Sequence, residues 1–140
     1  MRYILDTNII SELVKKKPNR QVAAWIDDLD ADSVYLSVLS IGEVCKGIER
    51  LPPSSRKEQL TNWLHDYLLI RFSDNTFNVD TDVMLTWGKL IASMQASGAT
   101  MSTIDSIIAA TAIHYHCTLV TRNVNHFLSA AVAVLNPWDV

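Results

Sequence analysis

Hydrophobic positions along the chain fall into two rhythms. Short, largely apolar runs stand at Tyr3-Ile4-Leu5, Val34-Tyr35-Leu36-Ser37, Ile70-Arg71-Phe72, Cys117-Thr118-Leu119-Val120-Thr121 and Ala131-Val132-Ala133-Val134-Leu135. Runs this short, without polar alternation, predict strands covered on both faces, as in a parallel sheet. Between them, apolar residues recur every three or four positions, the spacing of one helix face. Ile9, Ile10, Leu13 and Val14 predict a first helix, ended by Lys15-Lys16-Lys17-Pro18-Asn19. Val22, Ala23, Trp25, Ile26 and Leu29 predict a short second one. Ser40 with Glu43 three residues later reads as a capping box that opens a third, broken by Pro52-Pro53-Ser54. Leu60, Trp63, Leu64, Tyr67 and Leu68 share a face of a longer helix, and Val83, Trp87, Leu90, Ile91 and Met94 a face of the next, which stops at Ser97-Gly98. The last starts at Ser102-Thr103-Ile104-Asp105 and turns Ile104, Ile107, Ile108, Thr111 and Tyr115 to one side. Strands alternating with helices predict an α/β fold with a mainly parallel sheet. Right-handed crossovers then gather the C-terminal ends of the strands on one edge.

Composition narrows the reading. The 140 residues suit a single domain spanning 1–140, large enough to bury a core without metal or disulfide. A hydrophobic share of 49% against 19% charged residues excludes intrinsic disorder. Twelve Lys and Arg against 15 Asp and Glu give a net charge of −3, so the chain has no broad field for holding nucleic acid and would have to bind phosphate locally. Cys45 and Cys117 stand far apart with no CxxC, which argues against a zinc site or disulfide framework; both fall within element patterns and are expected to be buried. The opening apolar run is too short for a signal peptide, and no stretch approaches the ~20 apolar residues of a membrane span. A soluble, cytoplasmic protein without a membrane partner is expected.

The chemistry lies in the placement of three acids. Asp6 follows the first strand, Glu43 is expected in the first turn of the helix after the second, and Asp105 in the first turn of the helix leading to the Leu119 strand. In open α/β sheets, sites form beyond the strand ends where strand order reverses. If the first strand is central, the three acids meet there. Crowded carboxylates raise one another's pKa unless a cation lies between them, and hard divalent cations prefer oxygen donors. Each acid also has a purely structural explanation. Asp6 would cap the next helix, Glu43 would complete a capping box, and Asp105 would favour a helix N-terminus. Spacing alone leaves both roles open. Glu49, Asp66 and Asp80 lack such placement and read as solvated surface.

These residues resemble a known family. Asp6-Thr7-Asn8-Ile9-Ile10-Ser11 is similar to the opening motif of PIN-domain nucleases, and Ser37-Val38-Leu39-Ser40-Ile41-Gly42-Glu43 to their second block. Asp105-Ser106-Ile107-Ile108-Ala109-Ala110-Thr111-Ala112 resembles the block around the third acid. Leu119-Val120-Thr121-Arg122-Asn123, with Phe127 and then Leu135-Asn136-Pro137-Trp138, resembles the C-terminal pattern. The resemblance covers the whole chain in order and is strongest to the VapC/FitB-like toxins of type II toxin–antitoxin modules. It implies a three-layer α/β/α domain and a Mg²⁺- or Mn²⁺-dependent endoribonuclease. It also implies a homodimer, neutralised by a small DNA-binding antitoxin. Asp6, Glu43 and Asp105 match the family's metal-binding acids, and Thr7, Asn8 and Thr121 its polar supports.

Two departures stand out. Many relatives carry a fourth acid in the loop after the Thr121 strand, where this chain has Asn123 and His126. An Asn ligates through its carbonyl but brings no charge, so a tightly held second metal is disfavoured. Ser102 stands where relatives often carry Pro, a neutral change because Ser caps well. The expected catalytic set is therefore Asp6, Glu43, Asp105, Thr121 and Asn123, with Asp6, Asp105 and Glu43 around the metal. Asn8, Arg122 and Lys46 are the expected substrate contacts; Arg122 reads equally as a phosphate ligand or an ordinary surface residue, and His126 as a surface residue or one facing the RNA. The missing fourth acid keeps one alternative in view: a degenerate module that binds RNA or antitoxin without cleaving. A receiver-like phosphoacceptor is disfavoured, since receivers need a Lys near the end and none follows Lys89. Trp25, Trp63, Trp87 and Trp138 read as core or dimer contacts, and Leu60, Trp63, Leu64 and Tyr67 would also suit a partner's helix.

Overall fold

The computed structural model describes residues 1–140. Strand β1 (Arg2–Leu5) leads into helix α1 (Thr7–Leu13), followed by α2 (Arg20–Asp27). Strand β2 (Val34–Ser37) leads into α3 (Val38–Glu49), and α4 (Ser55–Trp63) continues through a π-helical turn, Leu64–Leu68, into the short α5 (Leu69–Arg71). Strand β3 (Thr76–Phe77), helices α6 (Thr81–Ala96) and α7 (Thr103–His114), and strands β4 (Cys117–Val120) and β5 (Val134–Leu135) complete the chain. All strand pairs are parallel, in the order β3-β2-β1-β4-β5. No helix is long and apolar enough to cross a membrane.

Side-chain alternation along the strands makes the domain three-layered. Ile4 and Leu119 face a core closed by Leu90 and Met94 of α6 and Ile108, Ala109 and Ala112 of α7. Their neighbours Leu5 and Val120 face the opposite core, closed by Ile9 and Ile10 of α1, Val44 and Ile48 of α3, and Leu64 and Leu68. With both faces covered, most positions of β1, β2 and β4 are apolar, which is why these strands read as short apolar runs. The chain builds β1, β2 and β3 outward on one side, then returns to place β4 on the other side of β1. Strand order therefore reverses between β1 and β4, and a crevice opens beyond their C-terminal ends.

Four sequence expectations are corrected. The run Ile70-Arg71-Phe72 is the end of a helix and its C-cap, not a strand; the third strand is Thr76–Phe77, paired with Leu36 and Ser37. The π turn widens the helix by a residue per turn and re-phases its faces, so Leu64 and Leu68 are buried while Tyr67 and Ile70 are exposed. Helix α3 starts at Val38, capped by the Ser37 hydroxyl, which accepts from the Leu39 N–H at 3.1 Å. Ser40 is thus no cap, and Glu43 lies in the second turn. Cys45 is exposed while Cys117 is buried, because Cys45 lies on the outer side of α3. Asp80 is on the surface, as expected, and from there caps α6 through the Val83 N–H and accepts from the Tyr115 hydroxyl at 2.7 Å.

Candidate active site

The crevice beyond β1 and β4 is an open cavity of about 580 Å³. Asp6, Glu43 and Asp105 all line it, with Asn8, Arg122, Asn123 and His126. Thr121 lies beneath, fully buried. Lys46 does not line the cavity, because it sits on an exposed position of α3 nearly a turn past Glu43.

Asp6 is delivered by the end of the central strand, where its N–H donates to the Val120 carbonyl at 2.9 Å. Its side chain is both cap and site. One oxygen, Oδ1, accepts from the Thr7 N–H at 2.8 Å and starts α1. The other, Oδ2, accepts from the Thr121 hydroxyl at 2.8 Å and the Asn8 amide at 3.3 Å. Only 5% of the residue is exposed. Burial raises its pKa above the ordinary carboxylate value; the Thr121 and Thr7 hydrogen bonds oppose this, and the charges of Asp105 and Glu43 push it further up.

Thr121 is the hub. Its hydroxyl donates to Asp6 and accepts from the Asn8 amide and the Asn123 N–H, both at 3.1 Å, filling its whole hydrogen-bonding capacity. The Asn8 carbonyl in turn accepts from the Arg122 N–H at 3.1 Å. The loop after β4 is thereby tied to the carboxylate after β1. Glu43 is fixed by the Thr7 hydroxyl, which donates to its Oε1 at 2.6 Å. Asp105 follows the Ser102 cap, whose hydroxyl accepts from the Asp105 N–H at 3.2 Å. Its Oδ2 lies 3.4 Å from His126 Nδ1, so His126 faces the acid rather than standing apart.

The donor set is chemically suited to a hard divalent cation: three carboxylates, the Asn123 amide and hydroxyls that steer them, all oxygen. As placed, no three His, Cys, Asp or Glu side chains close into one coordination shell. The acids surround the cavity: Asp6 and Glu43 are held by hydrogen-bond donors, and the Asp105 carboxylate faces His126.

Glu12 and Trp138 also line the cavity and were not among the expected site residues. Glu12 is buried, accepting from Lys15 Nζ at 2.9 Å and the Asn19 N–H at 3.0 Å; Lys15 leads these causes in holding its carboxyl below the usual range. Trp138 stands over Arg122, with its ring centroid 4.7 Å from the guanidinium carbon. Glu12 had a sequence signal: it lies three residues after Ile9, an acid on an otherwise core-facing side of α1. Trp138 had none, because its partner is 16 residues away across a loop.

Comparison with known proteins agrees with this geometry. The chain is 33% identical over 136 residues to the VapC ribonuclease Y4jK of Sinorhizobium fredii, covering 97% of each. It is 34% identical over 135 residues to the toxin FitB of Neisseria gonorrhoeae, covering 96% of this chain and 97% of that one. The crystal structure of FitAcB from N. gonorrhoeae superposes with a TM-score of 0.93 at 33% identity over 99% of both chains. Residues 3–132 match the PIN domain profile, and the chain belongs to the PIN domain family.

Proposed function

We propose that this chain is the toxin of a type II toxin–antitoxin module and cleaves RNA as a Mg²⁺- or Mn²⁺-dependent endoribonuclease. The observation that carries the reading is the meeting of Asp6, Glu43 and Asp105 around one cavity at the point where strand order reverses, with Asp6 nearly buried. A divalent cation bound there would supply an activated water and polarise the phosphodiester. Asp6 and Asp105 are assigned as direct ligands, and Glu43 as a ligand or a holder of water. Thr121 and Asn8 aim the Asp6 carboxylate, and Thr7 aims Glu43. Asn123 offers a neutral oxygen where a fourth acid would add charge.

The acidic cavity also suits the control expected for such a toxin. A small DNA-binding antitoxin presenting an Arg into the cavity would meet three carboxylates and exclude the cation. The chain would act as a cytoplasmic homodimer and would be held inactive in the complex with this antitoxin.

The test is cleavage of a labelled single-stranded RNA by the purified chain. Activity is expected with Mg²⁺ or Mn²⁺, to vanish with EDTA, and to fall at least ~100-fold in Asp6→Asn and Asp105→Asn, as for loss of a group acting in the transition state. Undiminished cleavage in EDTA or in either variant would overturn the mechanism.

A further inference from the structure

A nuclease site must hold a polyanion, yet this cavity is rich in carboxylates. The basic side chains around it are not equivalent. Lys15 is bound to Glu12, and His126 faces Asp105. The Arg122 guanidinium is different: it donates no hydrogen bond, and no carboxylate lies within 4.0 Å of it. It is exposed at the rim, laid on the indole of Trp138. Stacking on a ring face fixes the plane of a guanidinium while leaving its N–H edges free, the presentation that a phosphate fork requires.

Both ends of this arrangement are anchored. The Arg122 backbone N–H is held by Asn8, which also holds Asp6, so the rim cation and the buried carboxylate share one network. Trp138 is fixed by its surroundings. Its N–H donates to the Asn136 side chain at 2.9 Å, and its carbonyl accepts from the Gln21 amide at 3.1 Å. The same amide reaches the carbonyls of Pro137 and Val140, and the indole packs on the core that includes Leu5 and Val120. The last residues of the chain are thus tied to α2, with the indole beneath Arg122.

We propose that Arg122 binds a phosphodiester of the RNA at the rim of the cavity, and that Trp138 is the positioning residue that presents it. This rests on the RNA-cleaving reading of the same cavity. It resolves the charge problem locally: one uncommitted, pre-oriented cation stands beside the acids, and no basic patch is needed.

The experiment measures binding of a fluorescently labelled single-stranded RNA oligonucleotide by anisotropy across a salt series in Mg²⁺. All proteins carry Asp105→Asn, so that the probe stays whole. Arg122→Ala is expected to weaken binding about tenfold, the loss of a charge-assisted contact. It should also lower the slope of log affinity against log salt by about 0.7, one phosphate on a single strand. Arg122→Lys keeps the slope and loses affinity, because the charge stays while the fork goes. Trp138→Ala reproduces most of the Arg122→Ala loss, Trp138→Phe restores it, and the Arg122→Ala/Trp138→Ala double variant is no weaker than Arg122→Ala alone. An unchanged salt slope in Arg122→Ala overturns the proposal. Additive losses in the double variant overturn the role of Trp138. A separate cleavage assay on the otherwise wild-type chain keeps the two readings apart: no turnover with any divalent cation, with the slope change present, rejects the nuclease and leaves the phosphate site standing.

Discussion

Asp6 shows how one residue serves fold and chemistry at once. It caps α1 and lies nearly buried between two other acids, and its raised pKa means that the folded environment resists its charge. A neutral isostere removes that cost, so Asp6→Asn is expected to lose cleavage yet melt no lower than the wild type in EDTA, as differential scanning fluorimetry would show. A lower melting point would mean that the cap outweighs the buried charge. Thr121 behaves oppositely. Thr121→Val leaves the Asn8 amide and the Asn123 N–H without their acceptor, an expected cost of about 1–3 kcal/mol in chemical denaturation, together with reduced cleavage. Thr121→Ser keeps the hydroxyl and should recover most of both. Glu12 supplies the pH dependence. Its pKa is lowered in the fold by Lys15 first, then by the Asn19 N–H. The stability it contributes is therefore present above its unfolded value near 4.5 and lost as pH falls through the lower folded value. Glu12→Gln should lower stability above the carboxylate range and flatten the acid limb of the profile. A limb identical to wild type would show that the pair contributes nothing.

At the scale of elements, the caps decide where the acids stand. Ser37 ends β2 and caps α3, which sets the angle at which Glu43 comes to the cavity. Ser37→Ala should cost about 1 kcal/mol, the usual value for a lost N-cap, and reduce cleavage through Glu43. Sequence patterning misplaced this cap by three residues, because Ser40 and Glu43 satisfy the capping-box pattern while the strand already ends at Ser37. The elements that position the site were otherwise legible: continuous apolar runs marked β1, β2 and β4, and helical spacing marked α1, α6 and α7. What escaped the sequence depends on tertiary context. Ile70-Arg71-Phe72 has strand-like composition, but it continues a helix past a π turn that no periodicity signals. Strand β3 is two residues long, too short to leave a pattern. The three acids were legible because each follows an element boundary, and Asn123 because it falls in a motif. The hydrogen bond that ties Thr121 to Asp6 and the stacking of Arg122 on Trp138 join residues far apart in the chain or across a loop, beyond any local signal.

For the whole molecule, the net charge of −3 equals the charge of the three site acids. Apart from those residues, the chain is balanced. Its acidity is thus concentrated where a divalent cation would neutralise it. A ligand that binds only the folded protein stabilises it by RT ln(1 + [L]/Kd), about 2.7 kcal/mol at a hundredfold excess over Kd. For a chain of this length that is an upward shift in Tm on the order of 10 °C. Mn²⁺ titration should therefore raise the Tm of the wild type in a concentration-dependent way and leave Asp6→Asn almost unmoved. Asn123→Asp sharpens the test. A fourth carboxylate adds repulsion to the metal-free site and attraction to the loaded one. This variant should melt below wild type in EDTA and above it in saturating Mn²⁺, so that the two titration curves cross. A wild-type Tm indifferent to Mg²⁺ and Mn²⁺ would leave the acids with their capping roles alone, and curves that fail to cross would place Asn123 outside the metal's reach.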